Sequence, residues 1–108
     1  MKLNNIADLF NEALPGKAFH YFTGGQNGNY LIWQEEKIPS AGYGDNKKIL
    51  RKIQGTADYF TKLEEDPAVT TIEAKMTQSK LNWESISIQF EEKTKYIHYE
   101  WSWEAIHG

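Results

Sequence analysis

The sequence predicts an α+β fold, two helices packed on an antiparallel sheet in the order α-β-β-β-α-β-β. Three observations carry this expectation. Apolar residues recur at three- and four-residue spacing in two separate stretches, they alternate with polar residues elsewhere, and breaks rich in Gly or Pro divide the two kinds of pattern. Helices packed against a sheet are the arrangement that lets both patterns bury their apolar sides in one core.

Residues 3–14 place Leu3, Ile6, Leu9, Phe10, Ala13 and Leu14 on one helical stripe. Asn4 or Asn5 is available as a cap and Pro15-Gly16 as a stop, so an amphipathic helix is expected, with Asp8, Asn11 and Glu12 toward solvent. From Lys17 the period becomes two. Phe19 and Tyr21 alternate with Ala18, His20 and Phe22, and a further apolar run follows at residues 30–33. Between these two strands GGQNGN, at residues 24–29, is rich in residues that tolerate positive φ, which predicts a hairpin.

Residues 35–47, EEKIPSAGYGDNK, hold no sustained period and contain Pro39, Gly42 and Gly44, so a loop longer than most is expected. Its apolar residues Ile38 and Tyr43 are as compatible with tucking onto the sheet edge as with touching a partner. Residues 48–62 form a long strand in which Ile49, Ile53, Ala57 and Tyr59 share a parity with Arg51 and Gly55; a mid-strand glycine marks a bulge or a close backbone approach. A second helix is expected over 66–78, with Asp66 as cap, Pro67 in the first turn, and Ala68, Val69, Ile72 and Met76 on one face. The acidic run at Glu64, Glu65 and Asp66 suits the positive end of the helix dipole and needs no ligand.

Two strands close the chain, over 81–91 and 95–105, with a turn at 92–94. In the first, Ile86, Ile88 and Phe90 oppose Ser85, Ser87 and Gln89. In the second, Ile97, Tyr99, Trp101, Trp103 and Ala105 oppose Tyr96, His98, Glu100, Ser102 and Glu104. Such alternation gives each strand one buried and one wet face.

Length and composition bound the function. With 108 residues, 40% of them hydrophobic and 25% charged, the chain suits one domain spanning 1–108. It has no cysteine, which excludes disulfides, a thiolate nucleophile and a cysteine zinc site. The net charge of −3 argues against nucleic-acid binding, and Lys47, Lys48, Arg51 and Lys52 read as a solvated strand face. No run of about 18 apolar residues occurs, and Asp8 and Glu12 interrupt the apolar start, so neither a membrane span nor a classical signal peptide is expected. The aromatic share of 14% is high for a chain of low hydropathy, and aromatic side chains serve interfaces as readily as cores.

No constellation for chemistry emerges. His20, His98 and His107 stand at no metal-ligand spacing, and His98 beside Glu100 reads as a partly exposed strand histidine. The pairs Glu35-Glu36 and Glu91-Glu92 fall in loops. GGQNGN lacks the Lys-Ser or Lys-Thr ending of a phosphate loop, and no G-x-S-x-G elbow occurs. No catalytic residue, metal or cofactor is therefore expected, and the chain is read as one that works by contact.

The element order, together with GTADYFTKLEEDPAVTTIEAKM and LNWESISIQFEEKTKYIHYEWSWE, resembles the small tail-terminator or tail-completion (tail-to-head joining) proteins of long-tailed bacteriophages and prophages. FHYFTGGQNGNYLIW as a hairpin and the strand ending in DYFTK are further points of likeness, which covers nearly the whole chain. The resemblance implies an α+β subunit without enzymatic activity or cofactor. It implies a homo-oligomeric ring, commonly a hexamer, that caps the tail-tube protein and faces the head-completion or connector protein. The place it implies is the virion, and the host cytoplasm during assembly. It makes the tip at 24–29 and the loop at 35–47 candidates for projecting contacts, with Gln26, Asn27, Ile38, Tyr43 and Asp45 among them. Trp33 and Trp83 are candidates for the apolar surface that closing a ring demands of a small subunit. Trp101 and Trp103 share the parity of Ile97 and Tyr99 and are better explained as core.

Two other classes fit the composition. One is a small acidic binding or inhibitor module of the immunity type, directed at a basic protein partner. The other is an enzyme acting on a small molecule in a cleft between sheet and helices.

Overall fold

The first stripe forms the helix expected of it. In the computed structural model, which describes residues 2–21, 28–37 and 51–107, α1 spans Leu3–Ala13. Ile6, Leu9, Phe10 and Ala13 are its buried residues, and the Lys2 amide donates to Asn5 Oδ1 at 2.8 Å to close the N-terminal turn. Gly16 then takes a positive φ of 75°, which turns the chain into the sheet.

Five strands follow: β1 (Ala18–His20), β2 (Tyr30–Lys37), β3 (Arg51–Thr61), β4 (Asn82–Phe90) and β5 (Ile97–His107), with α2 (Pro67–Gln78) between β3 and β4. The fold is α+β and the elements run α-β-β-β-α-β-β. In space the strands lie in the order β1-β2-β3-β5-β4, so among the described residues β1 and β4 are the edges.

The sheet is mixed rather than wholly antiparallel. Three pairings are antiparallel, but β1 runs parallel to β2, with Ala18 opposite Leu31 and His20 opposite Trp33. The hairpin expected around GGQNGN is thus corrected. A parallel neighbour normally needs a long crossover, yet β1 has only three residues, so the chain has roughly 10 Å to travel back. Tyr21 leaves the strand with a positive φ of 72°. Its amide still donates to the Trp33 carbonyl at 2.9 Å, while the Leu31 amide donates to Lys17 O at 2.8 Å.

Both helices cover one face of the sheet. Phe10 of α1 stacks on Trp33 of β2, with ring centroids 5.8 Å apart. From α2, Glu73 accepts from Trp101 Nε1 and Thr77 Oγ1 from Trp83 Nε1, each at 2.9 Å. Leu31, Trp33, Ile53, Ala57, Tyr59, Trp101, Trp103 and Ala105 are buried on this face with Ile72 and Met76 of α2. Gly55 lies directly against the indole of Trp103. A Cβ there would collide with the Gln34 carbonyl oxygen and the Trp103 ring, and a bulge at residues 35–37 of β2 lies opposite. The close approach expected of this glycine is present, and the bulge sits on the neighbouring strand.

Candidate functional site

The residues singled out from sequence do not gather into one site. Trp33 is only 3% exposed and stacks on both Phe10 and His20, so it belongs to the core and is corrected as a contact residue. Trp83 is half-buried, packs against the core and donates its indole N–H to Thr77, which ties it to α2, and it also lines the open groove described below. Trp101 and Trp103 are buried, as their parity indicates. Gln26, Asn27, Ile38, Tyr43 and Asp45 lie outside the described residues. So do Lys47 and Lys48 of the basic run, while Lys52 is exposed with its Nζ 3.8 Å from Glu104.

A surface feature that alternation alone does not reveal lies on β4. Ile86, Ile88 and Phe90, expected to face the core, are 52%, 63% and 57% exposed. A bulge sets which face they take. Ser85 is opposite Trp101, but Ser87 is opposite Glu100, so one extra residue enters β4 there and its phase inverts. Before the bulge, Trp83 and Ser85 share the helix-covered face with Trp103 and Trp101. After it, Ile88 and Phe90 share that face with Tyr99 and Ile97.

That face is covered only in part because α2 crosses it obliquely. Its N-terminus is fixed at Tyr59 and Thr61 of β3 through Asp66, and its C-terminal half meets Trp101 and Trp83. The corner formed by residues 86–90 lies beyond that line. The change of apolar parity from Leu81 and Trp83 to Ile86, Ile88 and Phe90 is the sequence signal of the bulge.

The opposite face, helix-free among the described residues, is polar and acidic, with an aromatic ladder across it. Tyr30 stacks on Phe60 at 4.8 Å and Phe60 on His98 at 4.3 Å, while Tyr96 meets Tyr30 and Phe60 edge-on. His98 Nε2 lies 2.8 Å from Asp58 Oδ1 on the neighbouring strand, so its acid partner is Asp58 and not the Glu100 of its own strand. The bond to Asp58 raises the pKa of His98 above the ordinary imidazole value, against the opposing effect of burial. An open groove of ≈ 480 Å³ on this side is lined by Glu36, Gln54, Asn82, Glu84, Ser102 and Glu104, among other residues. Gln54 Nε2 donates to Glu104 Oε2 at 2.9 Å within it.

A second histidine–carboxylate pair stands at the β1 edge. His20 stacks between Tyr21 and Trp33, at 4.0 and 3.9 Å, and its Nε2 lies 2.7 Å from Glu35 Oε1. Burial acts to raise the Glu35 pKa, but hydrogen bonds from Tyr21 and His20 outweigh it and hold the carboxyl below its usual value. Each pair fixes an imidazole against the sheet. Among the described residues no group of three or more His, Asp and Glu is placed to hold a metal ion, and no helix is long and apolar enough to cross a membrane.

No protein-family model matches the chain, and no curated protein sequence matches it.

Proposed function

We propose that the chain is a structural subunit that works by assembly, of the tail-terminator kind: a ring-forming protein, six subunits to the ring, that caps a phage tail tube and presents a surface to the head connector. The observation that carries this proposal is the uncovered apolar edge of β4. Ile86, Ile88 and Phe90 are each more than half exposed on a strand whose outer side has no neighbour in the sheet among the described residues. Proteins that act alone rarely leave such an edge undefended, whereas a subunit completed by its neighbours has reason to. The element order and the tail-terminator resemblance of the sequence support the same assignment.

Electron microscopy and native mass measurement of the purified chain mixed with a tail-tube protein test it. Rings, or tubes capped at one end, are expected. A chain that stays monomeric beside uncapped tubes overturns the proposal.

One observation favours a second reading, an acidic inhibitor module. The helix-free face gathers Glu36, Asp58, Glu84, Glu100 and Glu104 around the groove and the aromatic ladder. Such a face suits a basic partner protein, with one-to-one association that weakens steeply as salt is raised.

A further inference from the structure

We propose that the outer edge of β4 is a seam for a second copy of this chain, joined by antiparallel β4–β4 pairing about a two-fold axis at Ile88. The inference goes beyond the assembly proposal and stands without it.

The first argument is the lack of defence. Natural edge strands are blunted by charge, proline, bulges or shortness, because an open row of N–H and C=O groups recruits other strands. β4 is nine residues long, and Glu84 with the bulge at residues 85–87 protects only its first half. Residues 85–90, Ser-Ile-Ser-Ile-Gln-Phe, contain no charge, proline or glycine. Their three apolar side chains are the exposed ones.

The second argument is self-complementarity. In antiparallel pairing about a two-fold axis, opposite residues share a face, so one choice of centre fixes every pair. With Ile88 opposite its own copy, Ile86 meets Phe90 of the second copy and Phe90 meets Ile86. All three apolar side chains then have apolar partners, and Ser87 meets Gln89 on the other face. Moving the centre to Ser87 puts Phe90 opposite Glu84, and moving it to Gln89 puts Ile86 opposite Glu92. Of these three centres only Ile88 gives all three apolar side chains apolar partners; it also brings Glu84 opposite Glu92, which lies in the turn beyond the end of β4.

The axis stands normal to the sheet, so both helix layers lie on the same side and two five-stranded sheets become one of ten strands. Three side chains slightly more than half exposed offer on the order of 350 Å² of apolar surface per copy, against about 800 Å² per partner in a standard stable interface. The pair is therefore weak, with half-association on the order of 10–100 µM. A two-fold seam makes a closed pair and does not propagate into a cyclic ring, so the pair is a form of the free chain, which gives up this edge to other neighbours when a ring closes.

Sedimentation velocity on the full chain from about 1 to 500 µM tests the seam. Wild type passes from monomer to dimer across that range. I88K, which sets two ammonium groups against each other across the axis, weakens the dimer at least about 30-fold. Because Ile88 is 63% exposed in the single chain, I88K keeps the wild-type melting temperature, which checks that it folds. The chain has no cysteine, so a single introduced one reports on register. I88C oxidises to a disulfide-linked pair, since directly opposite residues stand about 5 Å apart, while E84C, displaced along the strand from its own copy, does not.

A wild-type chain that remains monomeric at 500 µM, a dimer indifferent to I88K, or equal cross-linking of I88C and E84C overturns the seam. The assembly proposal fails separately. Capped tubes formed by the wild type keep that proposal, and an I88K-sensitive dimer without rings or caps in either protein retires it while upholding the seam.

Discussion

Tyr59 Oη donates to Asp66 Oδ2 at 2.6 Å, and through that bond the end of β3 holds the N-cap of α2. The same carboxylate accepts from Thr61 Oγ1 at 2.7 Å and from the Ala68 amide at 2.9 Å, while Asn29 donates to the Tyr59 hydroxyl. Replacing Asp66 by Ala removes a cap and leaves two buried hydroxyl donors without their acceptor. The expected loss is about 2–4 kcal/mol in urea denaturation. Tyr59→Phe leaves the cap in place and costs about 1 kcal/mol.

Acid stability follows from the same cluster. Burial acts to raise the Asp66 pKa, but hydrogen bonds from Tyr59, the Ala68 amide and Thr61 outweigh it, so the folded value lies below the unfolded one. A carboxyl shifted in that direction contributes stability that is complete above its unfolded pKa of about 4 and is lost as pH falls through the folded value. The difference in stability between wild type and D66A is therefore expected to be constant from pH 5 to 7 and to shrink below pH 4, read from denaturation midpoints. A difference independent of pH down to pH 2 counts against the ionised carboxylate as the source.

His98 acts with the opposite sign. Asp58, and more weakly Glu100 and Glu91, favour the imidazolium, so its folded pKa lies above the unfolded value of about 6.5. Its stabilisation is complete below that unfolded value and is lost as pH rises through the folded one. Asp58 and Glu100 face each other directly across β3 and β5, and the protonated ring relieves that repulsion. In an NMR titration D58N is expected to bring the His98 pKa down, and a His98 titration unchanged in D58N would remove Asp58 as the cause.

Gly55→Ala tests the close approach between sheet and core. The added methyl meets the Gln34 carbonyl and the Trp103 indole, whose N–H is held by Thr56 O at 2.9 Å, so neither neighbour yields easily. A loss of about 2–3 kcal/mol is expected, at the upper end of overpacking costs, with a change in near-UV circular dichroism from Trp103. A neutral G55A would show that the two strands part without penalty.

The elements most legible in the sequence are those with a single covered face. The stripe of α1, the Asp66-Pro67 start of α2 and the alternation of β5 all carry through to the structure, because burial on one side imposes a period. Trp33 was not legible. The run Tyr30-Leu31-Ile32-Trp33 is apolar on both parities, and only the stacking of Phe10 shows which side is core. Strand direction at β1 was hidden as well, since alternation marks a strand without saying which way its neighbour runs. The exposed corner of β4 was hidden for a different reason. Alternation marks the side of a strand that faces the core but not how far a helix covers it, and α2 crosses that side obliquely from Tyr59 to Trp83 and leaves residues 86–90 outside its reach.

The bulge itself yields the last expectation. β4 carries Leu81 and Trp83 on one parity and Ile86, Ile88 and Phe90 on the other, and the register against β5 absorbs the break between Ser85 and Ser87. Deleting Ile86 restores an unbroken alternation in which Leu81, Trp83, Ser85, Ile88 and Phe90 share one face, so the pairs on both sides of the bulge are preserved. That deletion is expected to cost about 1 kcal/mol or less. Deleting Ser102 from β5, which has neighbours on both sides and no bulge opposite β3, moves Trp103 or Trp101 out of the core and costs more than about 4 kcal/mol. Paired denaturation curves decide the matter: if the two deletions destabilise equally, the extra residue is not what sets the phase of β4, and the placement of Ile88 and Phe90 on the helix-covered face needs another cause.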